Sequence, residues 1–185
     1  MNKYKILKHQ VQKKDEFSIV PIRMKDRISI MNWRNEQLYH LRQKQKLTKK
    51  EQDYYFKNVV SNLFNNPKPK QILFSFLHKE TLVGYGGLVH INWIDKNAEI
   101  SFVMDTKLEK KYFLINWCVF LNLIEYVAFN DLMFHKIYTY AYDLRPKIYE
   151  ALEKSNFYRE AVLKDHCNFN NKFIDVIIHS KINNQ

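Results

Sequence analysis

The sequence predicts a mixed α/β fold: a mostly antiparallel central sheet, flanking helices and one parallel strand pair. Three observations carry that reading. Residues 71–105 run as three consecutive strands separated by short turns, an antiparallel meander. A long apolar helix then leads to a further strand, and a strand–helix–strand unit closes as a parallel pair through a right-handed crossover. The chain finishes with a short helix and a hairpin. With 185 residues and no internal repeat, 1–185 reads as a single domain.

Each element has its own local reason. Phe17 to Ile22 is a β-rich run and the first predicted strand, and a helix begins near Lys25 with Ile28, Ile30, Met31 and Trp33. A second helix covers Lys49 to Phe64: Thr48 is its N-cap, Glu51 completes a capping box, and Tyr55, Val59, Val60 and Leu63 share a face. Pro67 and Pro69 mark a loop from Asn65 to Lys70. Gln71 to His78, Thr81 to Trp93 and Asn97 to Asp105 are the meander strands, turning at Lys79-Glu80 and Asp95-Lys96. Phe113 to Asn130 is hydrophobic nearly all round, as a buried helix is. Lys136 to Tyr142 is the next strand, and Pro146 stands in the first turn of the helix after it. Phe157 to Cys167 and Phe173 to Ser180 form the last hairpin about Asn170-Asn171, residues that tolerate positive φ.

Composition narrows the function classes. Hydrophobic residues at 46% and charged residues at 26% are ordinary globular usage. The 13 Phe and 12 Tyr, with only 3 Gly and 4 Pro, go with a Lys-, Asn- and Ile-rich chain of the kind an AT-rich genome encodes, so aromatic abundance alone assigns nothing. A net charge of +11 suits an anionic partner, yet the basic residues are scattered as on a solvated surface. No recognition helix, zinc framework or clustered basic-aromatic surface points to nucleic acid. Cys118 and Cys167 have no metal-ligand spacing, and no metal is predicted. Met1 to Phe17 is charged and lacks the apolar run of a signal peptide. Phe113 to Phe129 is short for a membrane span and is interrupted by Asn116, Asn122 and Glu125. The expectation is a soluble cytoplasmic protein, monomeric or homodimeric, without a membrane partner.

The best site signal lies in the meander. Side chains alternate along a strand, so Glu99, Ser101 and Val103 share a face, as do His90 and Asn92 on the neighbouring strand. A two-residue turn at Asp95-Lys96 pairs Asn92 with Glu99 and His90 with Ser101. Four polar groups then converge at the sheet centre. Such a face is either a site or a solvated second side of the sheet.

Four stretches, in order and spacing, resemble the GNAT superfamily over nearly the whole chain. Glu99-Ile100-Ser101-Phe102-Val103-Met104 resembles its central fourth strand. His135-Lys136-Ile137, leading to Leu152-Glu153-Lys154-Ser155-Asn156-Phe157, resembles the fifth strand and the signature after it. Glu160 to Asp165 followed by Asp175-Val176-Ile177 resembles the end of the ribosomal-protein N-terminal acetyltransferase subgroup. Trp33-Arg34-Asn35 resembles the first helix of that subgroup and of nucleotide-sugar N-acetyltransferases.

The resemblance implies a splayed parallel strand pair and an acyl-CoA-dependent N-acyltransferase. It moves acetyl from acetyl-CoA to a primary amine: a nucleotide-linked amino sugar, a protein N-terminus or a small amine. It singles out Glu99 as general base with His90 as alternative, a choice that suits histidine's near-neutral pKa. Phe102, Val103 and Met104 would hold the acyl and pantetheine end through backbone N–H groups. The family's glycine-rich phosphate turn is replaced by Lys107-Leu108-Glu109-Lys110-Lys111-Tyr112-Phe113, without glycine. Lys110, Lys111 and Tyr112 then stand for the cofactor's phosphates, with Arg145 near the position of the family's asparagine. The family's acid, a tyrosine, falls on Leu152; Tyr149, one turn earlier, is its substitute. Trp33, Arg34, Asn35, Asn92 and Ser101 are the acceptor-side candidates. Two other readings stay open: a degenerate domain that binds CoA or a partner without turnover, and a basic nucleic-acid-binding module.

Overall fold

The computed structural model describes residues 2–184. Among them one eight-stranded sheet runs in the order β1-β2-β3-β4-β5-β6-β8-β7. Its strands are β1 (Gln12–Lys14), β2 (Phe17–Pro21), β3 (Ile72–His78), β4 (Thr81–Asn92), β5 (Asn97–Met104), β6 (Lys136–Tyr142), β7 (Tyr158–Phe169) and β8 (Lys172–Ile182). Helices α1 (Arg27–Glu36), α2 (Lys49–Tyr55), α3 (Ser61–Asn65), α4 (Thr106–Tyr126) and α5 (Lys147–Lys154) flank it. Every neighbouring pair is antiparallel except β5–β6, the pair that α4 connects. The mixed sheet with one parallel pair is therefore as the order of elements implies.

Local chemistry explains most boundaries. Lys79 and Glu80 take φ of 48° and 65°, and Asn170 and Asn171 take 51° and 62°, so both tight hairpins turn through two left-handed residues. The capping box of α2 forms in full between Thr48 and Glu51. A π-helical turn at Phe56–Val60 then rotates the face: Phe56 is buried, and Val59, expected inside, is exposed. Helix α4 starts at Thr106, not near Phe113, because its first two turns are mostly polar and only Leu108 of them packs on the core. It continues through a π-helical turn at Val127–Asp131. Thr106–Asp131 is long and apolar enough to cross a membrane, but Phe113, Trp117, Phe120, Leu121 and Ile124 are buried against the sheet, which makes it the core helix.

The three glycines lie where backbones approach closely. A Cβ on Gly87 would meet the Ile72 carbonyl oxygen at 2.0 Å, and one on Gly86 would meet the Ser101 carbonyl oxygen at 2.2 Å. Below them Phe102 stacks on Phe120 at 4.1 Å and meets Trp117 edge-on at 5.0 Å.

Candidate active site

The parallel pair fixes the site. β5 and β6 pair only at Asn97↔Lys136, Ala98↔Ile137 and Glu99↔Tyr138. Beyond Glu99 the strands part, and a cavity of about 890 Å³ occupies the gap. It reaches both sides of the sheet. On the helix side Phe102, Trp117 and Ile148 form an apolar wall; on the other side stand Glu99, His90, Ser101 and Arg42.

Glu99 sits at the fork. It is only 5% exposed and accepts a hydrogen bond from the Arg42 guanidinium, while His90 Nε2 lies 3.8 Å from its other oxygen. Burial raises the Glu99 pKa above the ordinary carboxylate value, more than Arg42 and His90 lower it. Arg42 in turn lies 4.7 Å over the Tyr140 ring. The segment that carries Arg42 is tied down by Asn35, whose side chain donates to the Leu47 carbonyl and accepts from its N–H.

The hairpin reaches this arrangement by another register than the two-residue turn predicts. Asn92 pairs with Asn97, Val89 with Glu99 and Gly87 with Ser101, so one extra residue of β4 is absorbed between Val89 and Asn92. The cause is Asn92, whose side chain accepts from Ile94 and Asp95 N–H at 3.0 Å each and holds open a four-residue connection. His90 takes φ of 49° in the bulge, and that returns its side chain to Glu99.

The other candidates divide. Glu99, His90, Ser101, Phe102, Arg34 and Arg145 line the cavity. Asn92 is an exposed loop organiser outside it. Trp33 is a buried core residue, and Asn35 holds the neighbouring segment as described. Val103 and Met104 lie in the core; the Met104 carbonyl accepts from the Gln37 side chain at 2.8 Å. Lys110, Lys111 and Tyr112 are exposed on α4 and do not border the cavity, because the helix turns them to solvent. Tyr149 donates to Asp143 at 2.8 Å and stacks on His179 at 5.2 Å, also outside it. Sequence reasoning missed Tyr140 and Tyr142, whose spacing of two on β6 was the available signal. It also missed Arg42 as the partner of Glu99.

Two observations bear on cofactor fit. The Thr139 hydroxyl lines the gap, is buried, and has no hydrogen-bond partner among the described residues. An apolar slot with an orphaned hydroxyl suits a thioester on an amide-bearing arm. At the start of α4, where the family resemblance implies the cofactor's phosphates, the Asp105 carboxylate already accepts from Lys107 N–H. Arg145 is engaged by Glu109 at 2.6 Å and lies 2.7 Å from His40 Nε2; burial and the Arg145 charge push the His40 pKa down to about 3. Among the described residues no group of three or more His, Cys, Asp and Glu side chains is placed to hold a metal ion.

An eight-stranded mixed sheet, splayed at its parallel pair over a deep cleft, is the frame of a CoA-dependent N-acyltransferase. The chain belongs to the acetyltransferase (GNAT) domain family, whose model matches residues 19–178. Acetyl-CoA is accordingly its co-substrate. No curated protein matches the sequence. Among solved structures it is similar to spermidine N-acetyltransferase from Vibrio cholerae in complex with CoA and spermine. The TM-score there is 0.76 at 20% identity, covering 91% of this chain and 96% of that one. A dodecameric structure of that Vibrio cholerae enzyme gives a TM-score of 0.73 at 20% identity, covering 91% and 95%.

Proposed function

We propose that this chain acetylates a primary amine of a small molecule, with Glu99 as the general base. A nucleotide-linked amino sugar is one such acceptor and the polyamine of the solved neighbours is another. The observation that carries the reading is the position of Glu99: the one buried carboxylate in the cavity wall stands where the β5–β6 pairing ends. Acetyl-CoA supplies an acetyl group activated as a thioester. The acceptor nitrogen gives its proton to Glu99 as its bond to carbon forms and the carbon–sulfur bond breaks. His90, with a side chain 64% exposed, passes that proton to solvent. The departing sulfur needs a proton, and Tyr142, kept protonated by burial, is a donor at hand on the β6 wall, the Tyr140 hydroxyl beside it being already engaged with Cys167 Sγ at 3.2 Å. Thr139 and the unpaired edge of β5 are the groups available to the acyl carbonyl.

Two free cysteines, Cys118 and Cys167, suit a reducing cytoplasm. The test is Glu99→Gln, which is expected to lower acetyl transfer by about 10²–10⁴-fold and leave acetyl-CoA affinity unchanged. A variant at full rate across pH removes Glu99 from the mechanism. The glycine-free start of α4, capped by Asp105, favours one second reading, a domain that binds CoA or a partner without turnover. Binding with no product from any amine would select it.

A further inference from the structure

A second cavity of about 290 Å³ lies under α1 and α2 and shares Arg34, Gln71, Val89 and Ser101 with the large one. Arg34 stands at the junction. It donates to Gln43 Oε1 and to the Tyr85 hydroxyl, each at 2.8 Å, and both partners are neutral. Arg23, Arg27, Arg42 and Arg145 each pair with a carboxylate. Arg34 is partly buried, and no carboxylate of the described residues lies within ion-pair distance of it. Glu51 also borders the inner cavity, but its carboxylate is held by Thr48 at 2.8 Å. A partly desolvated guanidinium without a counter-charge, at the mouth of a pocket, is matched by an oxyanion, for which its planar fork is shaped.

We infer that the acceptor amine carries a carboxylate or phosphate, held by Arg34, with its body in the inner cavity. This rests on the acetyltransferase reading above. Ser101 and Glu99 share a face of β5 two residues apart, roughly 7 Å by strand rise. Arg34 opens onto Ser101, so an amine at Glu99 and an oxyanion at Arg34 belong to one small molecule. A polyamine meets the opposite conditions. In the wall of the large cavity Arg42 and Arg145 are compensated by Glu99 and Glu109, which leaves Arg34 and Lys70 without a carboxylate at ion-pair distance among the described residues and no free carboxylate for a polyamine. The acceptor therefore differs in charge from the spermine bound by the Vibrio cholerae enzyme.

Calorimetric titration of the full chain, wild type and Arg34→Gln, decides this with three probes: glucosamine 6-phosphate, 6-aminohexanoate and spermidine. At least one anionic amine is expected to bind the wild type more tightly than spermidine. Arg34→Gln is expected to weaken it by about tenfold or more. Arg34→Lys should restore part of the loss, which separates charge from a folding defect. The phosphate and carboxylate probes tell the two oxyanions apart. Tighter binding of spermidine, equal binding by Arg34→Gln, or no binding of either anionic amine overturns the proposal. Binding without acetylation, by contrast, sinks the catalytic reading and leaves the anion site standing.

Discussion

Glu99 keeps a carboxylate in a nearly closed wall with one cation against it and a histidine at 3.8 Å. Its pKa is raised mainly by burial, so the basic form exists only above a value higher than an ordinary carboxylate's. Activity is therefore expected to fall as pH drops through that raised value. Arg42 lowers the Glu99 pKa, so Arg42→Gln should move this acid limb to higher pH. A pH–kcat/KM profile of the two proteins checks the sign; an unmoved limb would assign it to another group. Strand alternation puts Glu99 and Ser101 on one face, and the family resemblance singles out Glu99. Arg42 was not legible, because side-chain ties from α1, Asn35 to Leu47 and Arg34 to Gln43, hold its segment in place, and no periodicity encodes them. The same holds for Tyr149: helix spacing placed it near the expected acid, but its hydroxyl is spent on Asp143.

At the scale of elements, turn chemistry was readable and register was less so. The left-handed pair at Asn170-Asn171 and the Thr48–Glu51 capping box follow directly from residue type, whereas Lys79 and Glu80 are held in the left-handed region by the tight turn between β3 and β4. The β4–β5 hairpin does not, since the Asn92 side chain competes with the shortest turn and adds the bulge. The polar face was predicted with the wrong pairs, yet His90 still reaches Glu99 because the bulge re-aims it. Gly87 is the structural counterpart: β3 approaches so closely that any side chain collides with the Ile72 carbonyl. Gly87→Ala is expected to cost about 1–3 kcal/mol, read as a lower urea midpoint with unchanged slope. An unaltered midpoint would mean that β3 can shift without loss.

For the whole molecule, the order of elements implies the parallel β5–β6 pair through its crossover and the antiparallel meander and final hairpin through their short turns, whereas β2–β3, joined across three helices, and β6–β8, which skips β7, are tertiary pairings. The parting of the β5–β6 pair beyond Glu99 is a tertiary property that no local pattern encodes, and only the family resemblance anticipated it. The lysines of the first turns of α4 face solvent, and the helix start is capped by Asp105. The cleft between β5 and β6 is expected to receive acetyl-CoA. Titrating acetyl-CoA into the purified protein at physiological salt tests this most directly. One-to-one saturable binding is the predicted result, and no detectable binding at millimolar cofactor would contradict it.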